Sequence, residues 1–165
     1  IKVSLYLYLL NRISNYIILY KKGIEFMQNF NFLCEQFATI LKGKGKRNQG
    51  GCSVSFHRDF RVLVQGKPST SVVPVGVSFE SLDPNGNALN LGEIAVLQEE
   101  IPAFMKSIVQ QGIIVSALHN HWLYMNPLIM YIHIQSVEPP LHFAQKLAHS
   151  FLSLSSYPIA NNEGQ

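Results

Sequence analysis

The sequence predicts an α+β fold, a mainly antiparallel sheet covered by helices in the order α-ββββ-α-ββ-α, and three observations predict it. Two segments, near residues 30–41 and 99–111, carry apolar residues at helical spacing. Short runs rich in Val, Ile, Leu and Phe lie between and after them, bounded by Gly, Pro, Asn or Asp. These runs come in succession instead of alternating one for one with helices, which favours a layered arrangement over a doubly wound one.

The first helix starts near Asn29, where Phe30, Leu33, Cys34, Phe37 and Leu41 share one face, and it ends at a Gly43–Gly51 loop. The basic cluster Lys42-Gly-Lys-Gly-Lys46-Arg47 reads as a solvated mobile loop, with an anion or nucleic-acid contact as the other reading. Strands follow at Cys52–His57, Arg61–Gln65 and Val72–Glu80, with turns at Arg58-Asp59, Gly66-Lys67-Pro68 and Asp83-Pro84-Asn85-Gly86. Three strands in succession predict an antiparallel meander, and a fourth short strand is expected at Leu89–Leu97.

The second helix spans Glu99–Gln111, with Ile101, Phe104, Met105, Ile108 and Val109 on one stripe, acidic residues at its start and Gly112 just past its end. Pro102 fits only in the first turn, where a missing N–H costs least. Two apolar strands, Ile113–His121 and Leu128–Gln135, are joined by a Trp122–Pro127 turn. A last helix opens at Pro139-Pro140 with Leu141, Ala144, Ala148, Phe151 and Leu152 inward, and it fades into the polar tail Asn161–Gln165.

The folding domain is set at residues 27–155, followed by a polar tail over 156–165. In residues 1–26 the apolar run Val3–Leu10 is broken by Asn11 and Arg12, too short for the roughly 20 residues a bilayer needs, and no small-x-small cleavage site follows it. The first methionine is Met27, so residues 1–26 are expected to be translation of an upstream region, against a membrane-associating or partner-binding arm. With no signal peptide, lipobox or spanning helix recognisable, a cytoplasmic location is expected.

Residues 1–26 hold four of the 13 basic residues and one of the 10 acidic ones, which leaves nine of each in the body of the chain. A neutral body without a basic stripe argues against nucleic acid as partner, because such binding rests on many Lys and Arg phosphate contacts. Cys34 and Cys52 lack C-x-x-C spacing and read as small buried hydrophobes, a single disulfide being the alternative. There is no P-loop, no G-x-G-x-x-G after a strand and no G-x-S-x-G elbow.

The concentrated chemical signal is His119-Asn120-His121 with His133. His119 and His121 are two apart in a predicted strand and therefore project from one face. His133 joins them only if opposed residues of the hairpin sum to an even number, a parity that the loop length leaves open. Glu93 or Glu80 would supply an acidic fourth group.

Three histidines on one face suit Zn, Fe, Ni or Cu, and an open coordination position would activate water. A metal-free acid/base or substrate pocket and a set of packed, carbonyl-bonded histidines are the other two readings. His142 and His149 share the polar face of the last helix with Gln145 and Lys146 and read as solvated. His57, beside Arg58 and Asp59, reads as a turn or ion-pair residue, and Arg58 as a fork for carboxylate or phosphate. Trp122, Tyr124 and Tyr131 read either as core or as pocket wall.

The stretch Gly112-Ile-Ile-Val-Ser-Ala-Leu-His119-Asn120-His121-Trp-Leu, followed by Pro127-Leu-Ile-Met-Tyr-Ile-His133, resembles the signature of the LppY/LpqO family, a bacterial domain of unknown function. Ser55-Phe56-His57-Arg58-Asp59 with Arg61-Val-Leu-Val-Gln-Gly66, and Leu91-Gly92-Glu93-Ile94 before the Glu99-Glu100 helix start, extend the resemblance over about Phe30 to Leu154. The resemblance implies that His119, Asn120, His121 and His133 belong to the family's motif and that Arg58 and Glu93 fall at recurring polar positions. It supplies no reaction. Where the family often has an acid before the proline, this chain has Met125-Asn126, and Glu93 stands for a family Asp. Many relatives carry two copies and an export or lipoprotein signal, whereas one copy is legible here; a homodimer in place of the second copy is expected by analogy.

The expected function is a metal- or small-ligand-binding pocket built on the histidine hairpin, of hydrolase or lyase type, acting on a small molecule. His119, His121 and His133 would be ligands or acid/base groups, Glu93 a weaker ligand, and Arg58, Asn120 and Trp122 substrate contacts. Asn120, on the opposite face of its strand, would brace the hairpin. The rival expectation is a non-catalytic interaction or ligand-sensing module with structural histidines.

Overall fold

The computed structural model describes residues 17, 18, 20, 21 and 29–161. The chain divides into two compact units, Ile1–Leu33 and Cys34–Gln165. The described residues of the first unit are helical. The expectation of an untranslated upstream segment or an arm over residues 1–26 lies almost wholly outside the described residues. Among the described residues no helix is long and apolar enough to cross a membrane.

The second unit is α+β. It opens with helical residues 34–40 (α1), where Cys34 and Phe37 of the predicted stripe are buried together with Ala38. The expected Gly43–Gly51 loop is instead a hairpin of β1 (Gly45–Asn48) and β2 (Gly51–His57), closed by Gln49-Gly50 with Gly50 at φ 79°. Lys46 and Arg47 thus lie in an exposed edge strand, where long basic side chains discourage pairing with another chain's edge. The two cysteines are joined as Cys34–Cys52 across 18 residues, correcting the free-thiol reading and tying α1 to β2.

The predicted meander is interrupted. β2 pairs directly with β5 (Pro74–Glu80), while β3 (Val62–Val64) and β4 (Lys67–Ser69) leave to form a separate small sheet. The turn between them falls at Gln65-Gly66, both at positive φ, one residue earlier than expected, which frees Lys67-Pro68 for the strand. β6 (Ala88–Leu97) is a central strand of ten residues instead of a short one. A 3-10 turn at Gln98–Glu100 leads into α2 (Ile101–Gln110), with Pro102 in its first turn and Gly112 at φ 76° past its end.

Next come β7 (Ile114–His119), β8 (Met125–Asn126), β9 (Ile129–Glu138) and α3 (Pro140–Ser150). β8 lies in the stretch expected to be only a turn and pairs with β3. A last strand, β10 (Ile159–Ala160), pairs with Phe56 and His57 of β2, so ordered structure continues beyond residue 155. The main sheet runs β1-β2-β5-β6-β9-β7 with β10 also on β2; the small sheet runs β4-β3-β8.

Period-2 alternation gives the main sheet two distinct faces. Val54, Phe56, Val75, Val77, Phe79, Ile94, Ile132 and Ile134 are buried on the face that meets Phe104, Phe143, Leu147 and Phe151 of the helical layer. Phe104 stacks on Phe151 at 6.2 Å between centroids. In α3 the inward positions are Phe143, Ala144 and Leu147, and Leu152 is 69% exposed. The helix stops at Ser150 and passes into a 3-10 turn, so the 3.6-residue period no longer governs Leu152. The opposite face is covered at one end by the small sheet, where Val62, Val72, Val73, Ala95, Ile129 and Tyr131 form a second core.

Candidate functional site

The histidines depend on one irregularity in β7. In its first half Ile114 faces Gln135 and Val115 faces Ile134, pairs that sum to an odd number. Ser116 is bulged out of the register, and beyond it Ala117 faces His133 and His119 faces Tyr131, pairs that sum to an even number. Continued without the bulge, the ladder would send His119 and His133 to opposite faces; with it they share one. The Ser116 hydroxyl donates to the His133 carbonyl at 3.2 Å, pinning the bulged residue to the strand it displaces.

His119, His121 and His133 each offer a ring nitrogen, and these atoms lie within 4.8 Å of one another. β7 ends at His119, so His121 is placed by the following bend and not by the strand in which it was expected. The His119 and His133 rings are parallel within 3° at 4.9 Å, and His121 lies on the Tyr131 ring at 3.7 Å and 8°. Tyr131 is a fixed platform: it is buried, and its hydroxyl donates to Val72 O at 2.7 Å. Burial pushes its phenol pKa up, the Glu93 charge adds to this, and a hydrogen bond from the Trp122 indole opposes it.

Glu93 is the direct cross-strand partner of His133, with Oε2 4.0 Å from Nδ1. The other ring nitrogen, Nε2, is shielded from solvent and has no hydrogen-bond partner among the described residues. Glu93 is not one of the three converging groups; it stands beside them, against the expectation that it would be a ligand. Glu80 is remote, facing Gly51 and Leu89 at the far end of β5.

Arg58 is not free for substrate. It is buried, and its fork is taken by an internal carboxylate: Nη2 donates to Glu100 Oε1 at 2.7 Å, and Nη1 to Oε2 at 3.0 Å and to Ala95 O at 2.9 Å. Glu100 also accepts from Leu97 N, Ser155 N and Ser155 Oγ. The geometry foreseen for Arg58 is therefore present with an unforeseen partner. Glu100 was visible only as an acidic residue at a helix start, because nothing local links residues 58 and 100.

Asn120 is exposed, and its side chain makes no hydrogen bond among the described residues that would brace the hairpin. Of the three aromatics, Tyr131 is core, whereas Trp122 and Tyr124 are 52% and 77% exposed. His57 pairs with Asn161 at 2.8 Å, and His142 and His149 are exposed on α3 as expected.

A family model described as Domain of Unknown Function (DUF1259) matches residues 35–152, and the chain belongs to that family. No curated protein and no solved structure matches it.

Proposed function

Since membership of an uncharacterised family supplies no reaction, we propose from the site itself that this domain binds a divalent transition metal through His119, His121 and His133, and that the ion activates water for a hydrolase- or lyase-type reaction on a small molecule. The observation that carries the reading is the convergence of three imidazoles whose ligand atoms lie within 4.8 Å. Neutral imidazole donors suit Zn, Fe, Ni or Cu, and three of them leave coordination positions for water and substrate. Glu93 is the positioning residue: facing Nδ1 of His133, it favours a proton on that nitrogen and leaves Nε2 as donor. Trp122, exposed and beside Tyr131, is the expected substrate contact still placed to touch a bound molecule. The LppY/LpqO resemblance belongs to the same reading, since its motif histidines are the ones that converge.

One observation favours a second reading. Parallel stacking of His119 on His133 does not aim two in-plane lone pairs at one point, which suits a non-catalytic sensing or interaction module with packed histidines. Metal content by mass spectrometry, with urea unfolding of the wild type and the His119→Ala/His121→Ala variant, separates them. The metal reading expects near-stoichiometric metal, lost in a variant destabilised by less than about 1 kcal/mol. No metal after reconstitution with Zn, Fe, Ni and Cu, together with a loss of about 2 kcal/mol or more, establishes the packed-histidine reading instead.

A further inference from the structure

Among the described residues, the face of the main sheet opposite the helices is left open beyond the small sheet, and a trough of about 390 Å³ lies there, with Glu93 and His133 in its wall. Cross-strand register sets Ser55, Gly76, Glu93, His133 and Ala117 in one line over β2, β5, β6, β9 and β7. At about 4.8 Å per strand, the line from Ser55 to His133 covers roughly 14 Å. The trough therefore begins at the histidine cluster and runs away from it across the sheet.

Gly76 sits in the middle of this line, and among the described residues nothing requires a glycine there. Its φ is not in the left-handed region, and a Cβ would meet no atom within 4 Å. Gly92 of the neighbouring strand differs, since a Cβ there would strike the Ile134 side chain at 2.9 Å. A glycine inside a strand costs about 0.5–1 kcal/mol relative to alanine. Where neither backbone nor packing demands it, the remaining use is clearance for a molecule that approaches the sheet.

The lining states the chemistry of that molecule. The Ser55 and Ser78 hydroxyls have no partner among the described residues, whereas those of Ser53 and Ser116 donate to Lys46 O and His133 O. Leu91, 36% exposed, supplies an apolar patch, and Glu93 an acceptor. No Lys or Arg lines the trough; the nearest by register is Lys46, opposite Ser53 and outside the lining. Free hydroxyls, one carboxylate and an apolar patch match the alternating O–H and C–H surface of a sugar, and away from the histidine end no Lys or Arg of the lining would pair with a phosphate or carboxylate.

We infer that this trough is the substrate groove of the histidine centre and that it takes a neutral, hydroxyl-rich chain, a short oligosaccharide; the link to a reaction rests on the metal reading above. The test is amide NMR of the metal-reconstituted chain, titrated with maltotriose, cellotriose and N-acetylated chitotriose, with trigalacturonate as the anionic counterpart. At least one neutral trimer should shift the Ser55, Gly76 and Ser78 amides. Gly76→Val should weaken that binding tenfold or more while leaving metal content unchanged and the melting temperature equal or higher; Gly76→Ala should weaken it less. Absence of shifts with every neutral trimer, tighter binding of trigalacturonate, or undiminished binding to Gly76→Val overturns the inference. The two readings fail separately. Stoichiometric metal without saccharide shifts defeats the groove alone, and saccharide shifts in a protein that takes up no metal defeat the metal reading while upholding the groove as a binding site.

Discussion

A carboxylate moved out of water resists ionisation, so burial alone would raise the pKa of Glu100. Hydrogen bonds from Arg58, the Ser155 hydroxyl and the Leu97 and Ser155 amides outweigh burial and lower it from 4.5 to about 2. Because the folded value lies below the unfolded one, the stabilisation is complete above about pH 4.5 and is lost as pH falls towards 2. Its size is on the order of 3 kcal/mol. Glu100→Gln leaves the Arg58 charge buried without its counter-ion and should cost about 3–5 kcal/mol at pH 7 in urea unfolding. Repeated between pH 5 and 2.5, the same measurement should show a steep loss in the wild type and a shallower one in the variant; equal slopes would remove Glu100 as the acid-sensitive group. At this scale the sequence showed the kind of residue but not its partner. Arg58 was legible as a carboxylate fork, whereas Glu100 is 42 residues away and is brought to it only by the fold.

Among the elements, those with a long period were legible and those that break a period were not. α2, β2, β5 and β9 were all readable, because ten residues of helix, or seven to ten of strand, repeat their pattern often enough to be counted. β4, β8 and β10, with three, two and two residues, carry no alternation to count. The bulge at Ser116 belongs with these, since one serine in a strand-forming run looks like any other. Its consequence is nevertheless the largest at this scale, because it sets the parity that unites His119 with His133. Deleting Ser116 should remove the bulge and leave Val115 facing Ile134 and Ala117 facing His133 in a regular ladder, with His119 still opposite Tyr131. The expected outcome is a folded protein that takes up metal as the wild type does; Ser116→Ala, which keeps both bulge and metal, should lose about 1 kcal/mol or less with its single hydrogen bond. Loss of metal from a folded deletion variant would show that the distortion at Ser116 itself, and not the register beyond it, places His119.

Among its described residues, the unit Cys34–Gln165 is a sheet with one face closed by helices and the other closed only in part, by a small sheet built from one predicted strand and two segments that read as turns. That half-open face is what leaves the histidines, Glu93 and the trough accessible, and no local pattern announces it. The Cys34–Cys52 bond is the other feature of this scale, since two cysteines 18 residues apart have no spacing signature. Both cysteines are buried, and the bond anchors α1 to the strand that continues into Ser53 and Ser55 of the trough. A bond of this kind persists in an oxidising compartment, which weighs against the cytoplasmic location expected from the sequence. Closing a loop of 18 residues stabilises the fold by about 3 kcal/mol in the chain-entropy account. Cys34→Ser/Cys52→Ser should therefore lower the melting temperature by roughly 10 °C. Protein isolated from its native source and alkylated after unfolding, without reductant, should take up no label at either cysteine. Two labelled thiols would return the chain to a reducing compartment, and an unchanged melting temperature in the double serine variant would show that helical residues 34–40 are held to β2 by packing alone.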